Sequence, residues 1–111
     1  MSSVMIQRAR VHVMSTRTMD RGSGGLVVYT KNKYRVDDTT TIYRLDENGN
    51  KGQAFYAPVT EFQNEDGKSV YAAVFPTLLA GSYKVYRPST TTSGAKNITV
   101  FPGNLAEVSY A

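Results

Sequence analysis

The spacing of the apolar residues is the feature that most constrains how this chain can fold. In residues 81–87, Tyr83 and Val85 alternate with more polar neighbours, and the same alternation recurs over residues 96–101. A two-residue period places alternate side chains on opposite faces of a strand, whereas a helix needs apolar residues three or four positions apart. No segment shows a convincing helical period, and Val, Thr and Tyr are abundant. The pattern therefore predicts an all-β fold.

Turn residues divide the chain into about eight short strands. Asn48-Gly49 and Asp66-Gly67 are hairpin signals, and Pro102-Gly103 predicts a tight turn before the last strand. The predicted strands cover residues 4–13, 26–29, 39–45, 53–60, 69–75, 81–87, 96–101 and 105–110. Short strands with turns between them are typical of antiparallel sandwiches and barrels. We therefore expect one domain over residues 1–111, a single antiparallel sandwich of about seven or eight strands.

Two segments near the N-terminus differ from this alternating pattern. Residues 26–29 form a continuous apolar run, which predicts a central strand buried on both faces. The preceding residues 14–25 are polar and rich in glycine, and we predict a mobile loop there. The first predicted strand, residues 4–13, is thus joined to the rest of the domain through this loop.

The C-terminal half resembles a known group of β-sandwiches. Leu78-Leu79-Ala80-Gly81 is followed by Tyr83, and Val100 is followed by a Pro102-Gly103 turn into the last strand. These elements are similar to those of prealbumin-like domains, which include carboxypeptidase-regulatory-like and collagen-adhesin B-type modules. The resemblance implies a Greek-key sandwich. In physical terms, we expect Tyr83 to lay its ring across the core with its hydroxyl near the rim.

The resemblance carries two family functions that must be checked residue by residue. Collagen-adhesin B-type modules often contain a lysine–asparagine isopeptide bond, for which the candidates are Lys31 or Lys33 with Asn97 or Asn104. No pairing is compelling, and ordinary surface roles are favoured. Transthyretin-like hydroxyisourate hydrolases need several histidines and a C-terminal Tyr-Arg-Gly-Ser. This chain has one histidine and ends in Tyr110-Ala111, so that activity is not expected.

No residue pattern points to catalysis or to a bound cofactor or metal. The chain has no cysteine, and its single histidine, His12, lies among arginines in a predicted strand. Residues 46–50 are rich in oxygen ligands, but the glycine is misplaced for a calcium loop and a hairpin turn explains them better. We expect no enzyme activity. The chain also shows no signal peptide and no apolar run that would insert into a membrane, which favours a cytoplasmic protein.

Charge is distributed unevenly along the chain. Residues 1–35 hold seven basic and one acidic side chain, residues 36–66 hold two and seven, and the remainder holds four and one, for a net charge of +4. Pairing within the domain is the first interpretation and head-to-tail contact between copies the second. Nucleic-acid binding is the third, because tyrosines lie beside lysines and arginine between residues 29 and 35.

The chain contains 8 tyrosines, more than a small core can hold, and exposed tyrosine is enriched in recognition surfaces. The sequence therefore predicts a non-catalytic β-sandwich that acts through assembly or protein–protein interaction, as a homo-oligomer or with another protein. A carbohydrate-binding or ligand-binding accessory module and a basic nucleic-acid-binding protein are the alternatives. The candidate interaction residues are Tyr29, Lys31, Lys33, Tyr34, Arg35, Tyr43, Tyr56 and Tyr86.

Overall fold

A computed structural model describes residues 22–110, and these residues form an all-β fold. The strands are β1 (Ser23–Thr30), β2 (Thr39–Leu45), β3 (Lys51–Gln63), β4 (Ser69–Leu79), β5 (Gly81–Val85), β6 (Lys96–Val100) and β7 (Leu105–Ser109). A single turn of 3-10 helix, Lys33–Arg35, lies between β1 and β2. The predicted strand at residues 4–13, with His12, and most of the predicted loop lie outside the described residues.

The seven strands form one sheet in the order β6-β5-β2-β3-β4-β1-β7. All neighbouring pairs are antiparallel except β1 and β7, which run parallel, so the prediction of a purely antiparallel arrangement was wrong. The reason lies at Gly24, where an added Cβ would stand 2.4 Å from the carbonyl oxygen of Phe101. The turn after β6 packs directly on this bare backbone, and the Gly103 amide donates to the carbonyl of Ser23 at 2.7 Å. The turn therefore delivers β7 alongside β1 instead of back along β6.

Strand β3 connects the two halves of the sheet. Its first part pairs with β2 and its last part, from Val59 to Gln63, pairs with β4. At the far edges, β6 and β7 approach each other, and the Lys96 Nζ donates to the carbonyl of Ser109 at 2.7 Å. The sheet is therefore nearly closed into a barrel.

Several strand boundaries differ from the prediction for identifiable reasons. β2 and both hairpins agree with it, and Gly49 and Gly67 have the positive φ that their turns require. β1 begins at Ser23, inside the predicted loop, because the turn after β6 packs against Gly24 and the Asn104 carbonyl accepts from the Gly25 amide at 2.9 Å. β4 continues past Pro76, although proline has no amide hydrogen to donate to a ladder. No such donor is needed at this point, because β3 pairs with β4 only as far as Ala73 and the pairing of β4 with β1 is irregular between Phe75 and Leu78.

The inner face of the sheet encloses the main core. Leu26 and Val28 of β1 pack with Tyr83 and Val85 of β5 and with Ile42 of β2, and all five are fully buried. Val27, on the opposite face of β1, is also fully buried, which confirms the prediction of a strand buried on both sides. The predicted position of Tyr83 is confirmed too: its ring is buried and its hydroxyl donates to the carbonyl of Leu79 at 2.6 Å.

Replacing Tyr83 with phenylalanine tests this buried hydroxyl. Tyr83→Phe keeps the ring but leaves the Leu79 carbonyl without its donor, which costs about 1 kcal/mol of unfolding free energy. Urea unfolding followed by tyrosine fluorescence or circular dichroism measures the change. Tyr56→Phe is the control, since Tyr56 is 66% exposed and its variant should be within about 0.5 kcal/mol of the parent. Equal effects of the two substitutions would contradict this role of Tyr83.

Burial also makes the stability of the domain depend on alkaline pH. Desolvation raises the pKa of Tyr83 and that of Tyr110 above the ordinary value of 10.0. The folded state therefore retains protons that the unfolded chain releases, so unfolding free energy falls as pH rises above about 10. Unfolding at a series of pH values between 8 and 11 (roughly the range of tyrosine titration) measures this decline. The double variant Tyr83→Phe/Tyr110→Phe should show a shallower decline, and an unchanged slope would contradict the assignment.

Candidate functional site

A basic cleft lies where the ends of β1, β5 and β7 meet. Its volume is ≈ 190 Å³, and it is lined by Thr30, Lys31, Asn32, Arg35, Arg87, Pro88 and Tyr110. We call these seven residues the basic cleft. Three cations therefore surround a small, largely polar opening, which is suited to a carboxylate or another small anionic group.

The loop after β1 supplies one wall of the cleft. The side chain of Asn32 accepts a hydrogen bond from the Tyr34 amide at 2.9 Å and so caps the short 3-10 turn. The loop is then tied to β3, because the Asp37 amide donates to the Val59 carbonyl and the Val59 amide donates to the Asp38 carbonyl, both at 2.8 Å. These backbone bonds hold Lys31 and Arg35 at the cleft.

Tyr110 forms the opposite wall, between two cations. The guanidinium of Arg87 lies 5.1 Å from the centre of its ring, and the Lys96 Nζ lies 4.7 Å from it. The Tyr110 hydroxyl is within hydrogen-bonding distance of the carbonyl of Val85 at 3.0 Å and that of Gly94 at 2.5 Å. The ring is thus fixed from its hydroxyl end, and it presents its face to the cations.

The electrostatics of the cleft are dominated by positive charge. Burial raises the pKa of Tyr110 and outweighs the opposite effect of nearby Arg87, so the phenol stays neutral at physiological pH. Arg35 contacts Asp38 at 3.3 Å, and this is the one salt bridge within residues 22–110. The cleft therefore has more cationic than anionic groups.

A second group of aromatic side chains lies on the outer face of β2, β3 and β5. Tyr43 and Tyr86 contact edge to face with ring centres 6.0 Å apart, and the Lys51 Nζ lies 4.8 Å from one ring and 4.9 Å from the other. A side-chain hydrogen bond with Tyr86 raises the pKa of Lys51, so the ammonium keeps its charge. Tyr56 is on the same face and largely exposed. We call Tyr43, Tyr56, Tyr86 and Lys51 the tyrosine face.

The predicted site residues therefore separate into groups. Lys31 and Arg35 line the cleft, and Lys33 and Tyr34 lie beside it on the exposed loop, with the Lys33 Nζ 5.3 Å from the Tyr34 ring centre. Three of the predicted tyrosines form the tyrosine face, but Tyr86 is only 5% exposed, so the expectation that its ring faces solvent was wrong. Its amide pairs with the Thr41 carbonyl, which draws it onto the sheet.

Tyr29 belongs to neither group, since it lies half-buried on the outer face of β1.

Sequence reasoning missed Arg87, Lys96 and Tyr110. Arg87 and Lys96 could have been found from the sequence, because they lie on either side of the polar loop between β5 and β6. Residues that flank a hairpin loop are neighbours in the folded chain. Tyr110 had no comparable signal, since its position depends on β7 running parallel to β1.

Other candidate chemistries find no support in the described part of the chain. The Asp46 side chain accepts hydrogen bonds from the amides of Asn48 and Asn50, each at 2.8 Å, as expected of a hairpin turn. These hydrogen bonds lower the pKa of Asp46, and the bond from the Asn50 amide has the largest effect. Residues 22–110 contain no group of three or more His, Cys, Asp or Glu side chains placed to hold a metal. The four isopeptide candidates, Lys31, Lys33, Asn97 and Asn104, are all exposed, in agreement with surface roles.

Among the described residues, no helix has the length and apolar character needed to cross a membrane.

Comparisons with known proteins give one weak structural similarity. No protein-family model matches the chain, and no curated protein matches it. A leucine-rich repeat protein from Bacteroides thetaiotaomicron superposes with a TM-score of 0.46 at 17% sequence identity, over 79% of this chain. The chain spans 12% of the length of that protein.

Gly94 allows a direct test of how the cleft is supported. Its φ is +69°, and an added Cβ would lie 2.4 Å from the Cγ of Arg87. Gly94→Ala should therefore lose about 1–2 kcal/mol of unfolding free energy from backbone strain and also displace Arg87. Gly49→Ala is the matched control, with φ +82° and no atom within 4 Å. We expect both variants to be destabilised in urea unfolding, Gly94→Ala the more so because of the overlap with Arg87, and a shift of the Tyr110 ring resonances only in Gly94→Ala. Unmoved Tyr110 resonances would contradict the packing described here.

Proposed function

We propose that this protein is a non-catalytic β-domain that acts through protein–protein association, and that copies associate head to tail. In this association the basic cleft of one copy receives the acidic Asp46-Glu47 turn of the next. The observation that carries the proposal is the separation of the cleft from the acidic turn along β2. Lys31, Arg35 and Arg87 lie near its first residue, where they outnumber the neighbouring Asp37 and Asp38, and the turn follows its last residue.

The placement of β2 makes this separation a property of the fold. Its first residue, Thr39, accepts a hydrogen bond from the Ser89 amide at 2.8 Å, which ties it to the segment that carries Arg87 and Pro88. Its last residue, Leu45, directly precedes Asp46 and Glu47, both exposed. A strand of seven residues rises about 3.3 Å per residue, so the two charged sites lie roughly 20 Å apart. They cannot pair with each other within one copy.

The expected association is weak and sensitive to salt. Exposed ion pairs each contribute about 0.2–1 kcal/mol, and a few of them with some buried surface correspond to a dissociation constant in the range of about 0.1–1 mM. The interface is heterologous, because the cleft and the turn are different surfaces, and such contacts build chains or rings. A repeating structural subunit is the role that fits this geometry.

The fold family remains part of the proposal. We infer a prealbumin-like sandwich, in which the two parts of the sheet joined by β3 act as facing layers. Its support is the buried Tyr83 after Gly81 and the Pro102-Gly103 turn before β7, the elements on which the resemblance rests.

The tyrosine face bears on the alternative of a carbohydrate-binding module. Sugar rings stack on exposed aromatic faces, whereas Tyr43 and Tyr86 contact each other and Lys51 lies over both. Of these three tyrosines, Tyr56 alone has a largely exposed ring. Protein association accounts better for the geometry than a glycan platform does.

Mixing two complementary variants tests the head-to-tail contact. Lys31→Gln/Arg87→Gln neutralises the cleft and keeps the turn, whereas Glu47→Lys reverses the turn and keeps the cleft. Each variant alone should be monomeric by sedimentation equilibrium at about 1 mM protein, a concentration that matches the expected affinity. An equimolar mixture should form dimers and nothing larger, because one intact cleft and one intact turn remain. NMR shifts in the mixture should move at Gly49 of the cleft variant and at Asn32 of the turn variant.

Matched controls separate this contact from a general effect of charge. Glu65→Lys makes the same change in the β3–β4 turn, where Asn64 accepts from two amides at 2.9 Å much as Asp46 does. Lys68→Gln/Lys84→Gln removes two positive charges away from the cleft, and so has the same net charge as the cleft variant Lys31→Gln/Arg87→Gln. Both controls should self-associate as the parent chain does, and salt at about 0.5 M should dissociate all of these assemblies. A parent chain that stays monomeric at millimolar concentration would overturn the proposal.

A further inference from the structure

The first part of β3 has an edge with which no other described strand pairs. From Lys51 to Pro58, β3 pairs with β2 on one side, whereas its pairing with β4 on the other side begins only at Val59. A strand edge without a partner presents a row of backbone donors and acceptors that can pair with another extended chain. We call the stretch from Ala54 to Pro58 the β3 edge.

The strand register shows which backbone groups point out of the β3 edge. The Thr41 carbonyl accepts from the Tyr86 amide at 3.3 Å, on the side of β2 that faces β5. In an antiparallel pair, the residue opposite such a residue also directs its N–H and C=O away from the shared ladder. Tyr56 lies opposite Thr41, and the register continues without irregularity through Ala54 and Pro58, two positions to either side of it. An antiparallel strand added here would exchange both hydrogen bonds with Ala54 and with Tyr56, and would donate to the Pro58 carbonyl.

The position of Pro58 agrees with this orientation. Proline has no amide hydrogen, and within sheets it is confined to places where the missing donor would not meet a partner. The nitrogen of Pro58 points out of the β3 edge, so the ladder with β2 loses no hydrogen bond. Beyond Pro58 this side of β3 is occupied by β4. The β3 edge therefore accepts a short segment and excludes the continuous pairing of a long one.

The side chains at the β3 edge leave room for an added strand. Tyr56 is 66% exposed, Pro58 is exposed, and the side chain of Ala54 is a single methyl group. Ala54 lies opposite Tyr43, so Ala54 and Tyr56 are on the same side of the sheet as the rest of the tyrosine face. An added strand would place every second side chain on this side. Its other side chains would lie beside Phe55, which is half-buried against the main core.

The charge of this half of the sheet favours an acidic partner. β2, β5, β6 and the part of β3 that pairs with β2 contain no acidic side chain and one basic side chain each, namely Arg44, Lys51, Lys84 and Lys96. Lys84 lies directly opposite Tyr43, and the Lys51 ammonium lies over the rings of Tyr43 and Tyr86. Both ammonium groups are therefore on the side of the tyrosine face, where they would meet the carboxylates of an added acidic strand.

We propose that the β3 edge binds an extended, acidic segment of another protein as an added antiparallel strand, with its carboxylates on the side of Lys51 and Lys84. A single-stranded nucleic acid would meet the same charge, but it needs several exposed rings for stacking, and Tyr56 alone of the tyrosine face has a largely exposed ring. The inference does not depend on the head-to-tail contact, which uses the basic cleft and the Asp46-Glu47 turn. It gives the domain a second means of association, through backbone hydrogen bonds.

Pentapeptides with methylated backbone amides test this pairing. The probe alternates glutamate and valine, begins and ends with glutamate, is acetylated and amidated, and is titrated into the full-length chain at about 0.05 mM, below the range in which copies associate. We expect saturable amide shifts at Ala54 and Tyr56, with a dissociation constant of about 0.1–1 mM. In the proposed register the glutamate amides donate to the β3 edge and the valine amides point away. Methylating the glutamate amides should weaken binding about tenfold or more, whereas methylating the valine amides should leave it unchanged.

Variants of the chain separate the β3 edge from the basic cleft. Lys51→Gln/Lys84→Gln should weaken binding of the unmethylated pentapeptide about 3–10-fold, because two exposed ion pairs are lost. The cleft variant Lys31→Gln/Arg87→Gln has the same net charge and should bind it as the parent chain does. A pentapeptide of alternating lysine and valine should not bind.

Three outcomes of these titrations would each overturn the proposal. Equal affinities for the two methylated pentapeptides would show that the peptide backbone does not pair with the β3 edge. Shifts at Asn32 without shifts at Tyr56 would place the acidic peptide in the basic cleft. Tighter binding of a short oligothymidylate, with the largest shifts at Tyr56, would assign this surface to single-stranded nucleic acid.

Discussion

The burial of β1 on both faces is the constraint on which the rest of this structure depends. Leu26, Val27 and Val28 are consecutive and completely buried, so one strand directs apolar side chains to both sides of the sheet. Its ladder partners are β4 on one side and β7 on the other, which leaves no exposed backbone edge along the strand. The inner side is filled by residues from all the other strands. On the outer side, Val27 packs with Ala72 and with partly buried apolar residues of β3, β4 and β7.

Local features of the fold could be predicted from the sequence, since they depend on neighbouring residues. The bounds of β2, the positive φ of Gly49 and Gly67 and the buried ring of Tyr83 all follow from alternation and turn chemistry. The parallel pairing of β1 and β7 could not be predicted. It depends on the close approach of Phe101 to Gly24, a contact between residues more than seventy positions apart that no local pattern encodes.

The candidate site shows the same division between local and long-range information. Lys31 and Arg35 could be identified because they lie near each other in a basic stretch of sequence, and the structure places both at the cleft. Arg87 and Tyr110 complete it only because β7 ends beside β1, where the Tyr110 amide donates to the Tyr29 carbonyl at 2.9 Å. Tyr86 has polar neighbours in the sequence, which favour an exposed ring, yet it is buried. Its burial follows from packing against Tyr43, which sequence neighbours do not reveal.

The position of the cleft follows from the way in which the sheet nearly closes. β6 and β7 meet without forming a continuous ladder between them, and open edges of this kind invite pairing with other chains. Lys96 bridges the gap by donating to the Ser109 carbonyl, and the same ammonium lies over the Tyr110 ring. A charged side chain at an edge disfavours uncontrolled strand addition while it adds positive potential beside the cleft. The Lys96 ammonium that protects this edge therefore also adds to the positive charge beside the cleft. The cleft can bind an acidic group through its side chains, while the neighbouring strand edge still resists pairing through its backbone.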